Sequence, residues 1–398
     1  MKVFDLIISE YLDYFFIKKR SPGLIRKLKQ LAIKARREAI ESYQKLKPPK
    51  IVPQDIYIEN WIRDVVSLYL ASRTINQTRI DNPPPDLQAS VKFHLAFPPQ
   101  LQTELRKRFF KTELKKRPSI WRSFQLPVKE LEKKFKDVVK EKQKLAQKRG
   151  FSSYLDFFLW RYKIPKSDYQ LFTNRIDQII EFLNQSLSDI KSLPEGFYSR
   201  FNIPCFLCLS AQFPFRNFSE VIDWVVKQNP YLARFQNRID LKFESRDSQL
   251  LYVKEADRFK IILDKNINFR HQVLELIHEL SHLISYLESF NQGINPRVKG
   301  CYWREKEALR TEWNILRNAP APLFHGLLSE LLLSIREVLF EIELYAYPDQ
   351  NLSQLYARTF NCCFKEARQR NNPLYLLDRS IIYSPFRSLS HIVGVTSF

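Results

Sequence analysis

Seven glycines among 398 residues set the first limit on this chain. That is about 2%, where ~7% is usual. Tight hairpins, bulges and barrel corners draw on glycine's access to positive φ, so an all-β architecture has too few turn residues here. A mostly α fold is expected. Hydrophobic residues make up 44% of the chain and can fill a sizeable core, while the 27% that are charged are interspersed among Leu, Ile and Phe, which excludes wholesale disorder.

Apolar periodicity places the elements. Two helices are expected in 1–47, with a turn at Ser21-Pro22-Gly23, and another in 56–75. Residues 81–100 carry Pro83, Pro84, Pro85, Pro98 and Pro99 and are expected to be mostly loop. A long charged helix runs from Pro127 to Arg149, with Gly150 as its C-terminal cap. Helices follow at 151–162 and 167–193, and Phe201 to Leu209 is an apolar stretch of open type. At Ile239 the period changes to two: 239–244, 251–254 and 259–264 read as a small sheet. Helical spacing resumes over 269–290, 304–318, 323–346 and 351–370, and short pieces fill 373–398.

The net charge of +21 is uneven: residues 1–150 hold 34 basic and 16 acidic groups, and 151–398 hold 30 and 27. This suggests a basic N-terminal helical region, 1–125, ahead of a catalytic helical region, 126–398, which contains the sheet at about 239–265. The basic excess reads first as Lys-rich solvated helix faces, as at 129–136, and second as a footprint for nucleic acid or an acidic partner. No Gly-rich phosphate loop or zinc knuckle accompanies it. The most apolar stretch, 323–347, is interrupted by His325, Glu330, Arg336, Glu337, Glu341 and Glu343, so no membrane span is expected. Asp5, Glu10 and Asp13 break the first apolar run, unlike a secretory signal. The five cysteines give no disulfide framework, so a cytoplasmic location is expected, with Cys205, Cys208, Cys362 and Cys363 as structural thiols.

Three of the six histidines fall within twelve residues: His271, His278 and His282. In His278-Glu279-Leu-Ser-His282 the two histidines lie one turn apart on one helix face, so both imidazoles can reach one cation. Glu279 points about 100° away, out of coordinating reach but placed to take a proton from an activated water. The neighbours Leu276, Ile277, Leu280, Leu283 and Ile284 require burial on the helix flanks. His271, two turns earlier on the same side, reads as a helix-start residue, and His94 and His325 as ordinary ones. Zinc needs a third protein ligand and an open position. Ser285 and Glu288 stand where one class of site needs Gly and His, which excludes that class. In another, a Glu from the next helix lies roughly 24 or 25 residues past the second His. Glu307 lies 25 past His282 and is the expected ligand; Glu305 and Glu312 are its competitors, and Glu305 points nearly opposite Glu307.

Residues 271–313 resemble the thimet oligopeptidase and oligoendopeptidase F family of zinc peptidases, of gluzincin type. The resemblance rests on the His-Glu-x-x-His helix followed by Glu307-Ala308 and Glu312-Trp313, and more weakly on 145–156, Ile164-Pro165 and Tyr169. Ser281 stands where the family commonly has Gly, and 309–311 read Leu-Arg-Thr in place of Pro-Ser-Gln. The resemblance implies a helical, bowl-shaped body with a deep cleft, a small sheet beside the metal helix, and cleavage of short peptides. Strand 259–264, just before the metal helix, is expected to be an edge that aligns a peptide by β-addition. In the family, Tyr and His residues of a C-terminal segment stabilise the oxyanion; Tyr383 and His391 are the matching candidates.

The expected function is therefore a monomeric zinc metallopeptidase acting on oligopeptides, with zinc on His278, His282 and Glu307 and Glu279 as general base. The alternative is an inactive zinc-binding module whose basic N-terminal region holds nucleic acid or an acidic partner.

Overall fold

A computed structural model describes scattered positions from 93 to 124 and, with short breaks, the chain from 126 to 393; the longest breaks are 199–212 and 293–300. The expected helices in 1–75, His94, and Cys205 and Cys208 lie outside the described residues. The chain divides into two units, 1–88 with 148–150 and 89–147 with 151–398. Everything below concerns the second, apart from Lys148 and Gly150 at the end of one helix.

Helix α1 is Arg117–Ser123 and α2 is Val128–Lys148. Leu131, Phe135, Val138, Val139, Lys142 and Ala146 of α2 are buried, a stripe at three- and four-residue spacing. Gly150 ends the helix at φ 83°, and the Phe151 N–H donates to the Ala146 carbonyl at 3.1 Å, the reach of a Schellman cap. Within the proline-rich stretch expected to be loop, Phe93 is helical, and the Phe97 N–H donates to its carbonyl at 2.9 Å.

Helices α3 (Tyr154–Tyr162) and α4 (Lys166–Ser186) follow, then a short strand β1 (Leu193–Gly196). Helix α5 (Phe218–Gln228) starts at Asn217, whose side chain accepts the Glu220 N–H at 3.0 Å. A 3-10 turn, Pro230–Arg238, leads into β2 (Ile239–Glu244), β3 (Gln249–Val253) and β4 (Arg258–Asp264). The three strands are those the period-two pattern marks, but their order is β2-β4-β3. β4 runs parallel to β2 and antiparallel to β3. It is the central strand, with Phe259 to Leu263 all buried, and not the expected edge. Phe259, Ile261, Ile262 and Leu263 supply the apolar side chains that burial on both faces requires, with Lys260 buried among them. The edges are β2 and β3.

Helix α6 (Phe269–Asn291) is capped by Asn268, which accepts the His271 N–H at 3.0 Å. Helices α7 (Cys301–Leu316), α8 (Ala321–Ala346) and α9 (Leu352–Cys363) complete the body. The helix expected to reach residue 370 stops at Cys363. The Asn184 amide donates to the Cys363 carbonyl at 2.8 Å and its oxygen accepts the Lys365 N–H at 3.2 Å. The Asn361 oxygen accepts the Gln369 N–H at 2.6 Å. These contacts turn the chain into β5 (Ala367–Gln369), which pairs in parallel with β1. A 3-10 turn, Leu374–Leu377, and helices α10 (Ser380–Tyr383) and α11 (Arg387–Ile392) follow.

Helix α8 is buried along its whole length and packs on α4, α6, α9 and α11. It meets α6 at Gly326, where an added Cβ would lie 2.5 Å from Leu274 Cδ1. The described residues contain no helix long and apolar enough to cross a membrane.

Candidate metal centre

Helix α6 lies between the sheet and α7. Leu276, Ile277, Leu280, Leu283 and Ile284 are fully buried on its flanks, which fixes how the polar side faces. His278 and His282 meet edge to face there, with ring centroids 4.7 Å apart. Ser281, between them, is fully buried and satisfies its hydroxyl on the Ile277 carbonyl at 2.8 Å. A second polar contact, Ser285 Oγ to Thr311 Oγ1 at 3.1 Å, fastens α6 to α7.

Along α7 the inward residues are Tyr302, Ala308, Leu309, Glu312, Ile315 and Leu316. Glu305 falls on the same stripe, one turn after Tyr302 and two turns before Glu312. Its Oε2 lies 3.3 Å from His282 Nε2 and 3.6 Å from His278 Nε2. Glu305, not Glu307, is thus the acid that faces the histidine pair. The reason is helical phase: 305 and 307 are about 200° apart, and the apolar stripe of α7 turns 305 towards α6. Glu307 is instead close enough to Glu288, further along α6, to help raise that residue's pKa after burial. Tyr302, whose hydroxyl donates to Asp168 of α4 at 2.5 Å, locks the phase of α7.

Glu312 supports the site from behind: its Oε2 is 2.9 Å from His278 Nδ1. A carboxylate only accepts, so Nδ1 carries the proton and, in the neutral ring, the Nε2 lone pair faces Glu305. The sequence holds Glu312 only as a competing ligand; its place on the Glu305 stripe, seven residues on, is the signal for this orienting contact.

Glu279 is buried beside the pair and accepts a hydrogen bond from the Leu250 backbone of edge strand β3. Burial, and then Glu305, raises its pKa, against the opposing pull of His282 and His278. Burial alone would lower the His278 pKa, but Glu312 and Glu305 hold it well above its ordinary value. Burial would raise that of Glu305, but His391, His282 and His278 hold it well below.

His391, on the last turn of α11, joins the cluster with Nδ1 3.4 Å from Glu305 Oε2 and its ring 6.1 Å from that of His278. One ligand atom each from His278, Glu305 and His391 lie within 4.8 Å of one another. Tyr383 ends α10; its side chain lies outside the described residues. His271 stands apart from the centre, with Nε2 3.7 Å from Glu275 and 3.5 Å from Glu330.

The donor set suits zinc, which takes imidazole nitrogen and carboxylate oxygen. Two imidazoles and a carboxylate converge from two helices that are packed against each other, with one imidazole held by an outer carboxylate.

The mostly helical body with a small mixed sheet is a fold shared with solved structures. One of them is PZ peptidase A with inhibitor 2: 13% identical, TM-score 0.51, covering 98% of this chain and 86% of that one. A protein assigned as an oligoendopeptidase F from Bacillus anthracis str. Ames is also similar, at 12% identity and TM-score 0.46, covering 92% of this chain and 84% of that one. No protein-family model matches the sequence, and no curated protein matches it.

Proposed function

We propose that this chain is a zinc-dependent peptidase that hydrolyses short oligopeptides, with His278, His282 and Glu305 holding the metal and Glu279 acting as general base. The observation that carries the reading is the convergence of both imidazoles of the His-Glu-x-x-His helix on the Glu305 carboxylate, with Glu279 buried beside them. Zinc bound there would polarise a peptide carbonyl and acidify a water. Glu279 takes the proton of the attacking water and delivers it to the leaving amine. A carboxylate whose pKa is raised by burial is suited to holding that proton between the two steps. Leu250 fixes the Glu279 carboxylate, and Glu312 fixes the His278 tautomer.

The side of β3 that faces away from β4 is the element suited to align a peptide backbone past Glu279 by β-addition, in place of the strand expected from the sequence. Tyr383 is assigned to the substrate or its oxyanion. The reading keeps a monomer as the acting form and the cytoplasm as its compartment.

The test is Glu279→Gln, which leaves the ligands in place. Zinc content, measured by elemental analysis, stays near about one per chain. Hydrolysis of a mixture of short peptides, followed by mass spectrometry, drops by roughly 10²- to 10⁴-fold. Parent-level cleavage by this variant would exclude Glu279 as the base. No cleavage by the zinc-loaded parent itself would exclude the peptidase reading.

A further inference from the structure

Two carboxylates of α6, one turn apart, reach alternate residues at β3. Glu275 Oε2 accepts the Ser248 hydroxyl, and Glu279 accepts the Leu250 N–H. The spacings agree: four helical residues rise about 6 Å, and two strand residues advance about 6.8 Å. Helix and strand therefore run side by side in the same direction, tied at two points. Ser248 is also bound to the sheet. Its hydroxyl oxygen accepts the Asp264 N–H at 3.1 Å, and the Gln272 amide of α6 donates to the Asp264 carbonyl at 2.9 Å. Glu275 Oε1 lies 3.7 Å from His271 Nε2, so the carboxylate is held on both sides. The chemistry proposed above uses neither Glu275 nor Ser248.

We propose that Glu275 and Ser248 are positioning residues: they fix β3 along α6, and with it which bond of a bound peptide lies beside Glu279. This rests on the peptidase reading above. An N–H given to Glu279 is not spent on β4, so the Leu250 contact lies on the side of β3 where a peptide would add. A substrate paired there takes its register from the same strand to which the base is bonded. Ser248 stands two residues before Leu250, and Glu275 one turn before Glu279, so the outer tie sets the inner one. Without it β3 can move along the helix and carry the peptide carbonyl away from the attacking water. Misplacement by about 1 Å can cost roughly 10²-fold in rate.

The experiment uses the full zinc-loaded chain and four variants. Glu275→Ala and Ser248→Ala remove the tie; Glu275→Gln and Ser248→Thr keep an acceptor and a hydroxyl. Hydrogen exchange without substrate, read residue by residue by mass spectrometry, should quicken at the Leu250 amide in both alanine variants. The expected change is about 10-fold, the worth of one hydrogen bond to a charged group. Exchange along α8 should keep the parent's rate, and the two conservative variants should restore that of Leu250. With a mixture of short peptides, the alanine variants should show kcat lowered roughly 10- to 100-fold, KM little changed, and products from bonds next to the one the parent cuts. Unchanged Leu250 exchange in both alanine variants would overturn the proposal, whether or not the parent cleaves peptides. Quickened exchange with the parent's kcat and products would overturn it too. Quickened exchange in a chain whose parent cleaves nothing would leave the tie standing and remove the peptidase reading.

Discussion

His278 stands between two carboxylates of one helix, Glu312 at 2.9 Å from Nδ1 and Glu305 at 3.6 Å from Nε2. Each side of the ring therefore has one task, and both acids come from the stripe that buries α7. The histidines and Glu279 are legible in the sequence because their spacing alone puts them on one helical turn. The partner acid is harder to read: counting 25 residues from His282 selects Glu307, and only the phase of the next helix selects Glu305. Tyr302, Leu309, Glu312 and Leu316 mark that phase and are buried. Glu305→Ala should accordingly lower zinc content well below one per chain, while Glu307→Ala should leave it near the parent's value, as read by elemental analysis after dialysis. The reverse result would put the register of α7 in error.

Among the elements, the long helices and the three-stranded sheet follow from periodicity, since each buries one face or, for β4, both. The β1–β5 pair does not. Strands of four and three residues carry no period of their own, and this pair exists because Asn184 and Asn361 hold the chain around 363–369. The order of strands in the sheet is likewise tertiary: alternation shows that 258–264 is a strand, not that it lies in the middle. The seam between α6 and α8 depends on a missing side chain. A methyl group at 326 would lie 2.5 Å from Leu274 Cδ1 and 3.0 Å from Cδ2. Gly326→Ala should cost about 1–3 kcal/mol in urea unfolding. Combining it with Leu274→Ala, itself a loss of about 2–5 kcal/mol, should cost less than the sum. Strict additivity would mean that the two positions do not touch.

Across the described unit, α8 joins α6 to the C-terminal segment and carries buried ionisable groups into the core. Arg336 is fully buried, over the Tyr356 ring at 4.6 Å and 3.7 Å from Glu337. Burial raises the Glu341 pKa well above 4.5; Glu337 and Asp378 add to the shift, and the Phe386 N–H and Arg336 oppose it. Tyr345 is the other titratable neighbour. The folded chain thus keeps a proton that the unfolded chain releases above about 4.5, so stability falls as pH rises from there towards the folded pKa. Glu341→Gln keeps an acceptor for Phe386 and cannot ionise. Its Tm should match the parent's below pH 4.5 and exceed it increasingly as pH rises; a constant difference from pH 4 to 8 would contradict a raised pKa. None of this is visible in the sequence, where Glu337 and Glu341 read only as interruptions of an apolar run. The likeness to PZ peptidase A, at 13% identity, is one of fold.

Phe386 has φ 63°, a left-handed backbone that costs a side-chain-bearing residue about 1–2 kcal/mol. Glycine would adopt it without strain, but would also let the turn swivel. Here the ring is fully buried and packs on Tyr345 at 5.2 Å and Phe158 at 5.7 Å. The bend that aims α11 is thereby a stiff joint under load, and its angle is referenced to α3 and α8. Freedom at this joint and accuracy at His391 are opposed quantities, so the placement of the imidazole beside Glu305 is written into an aromatic cluster rather than into the centre itself.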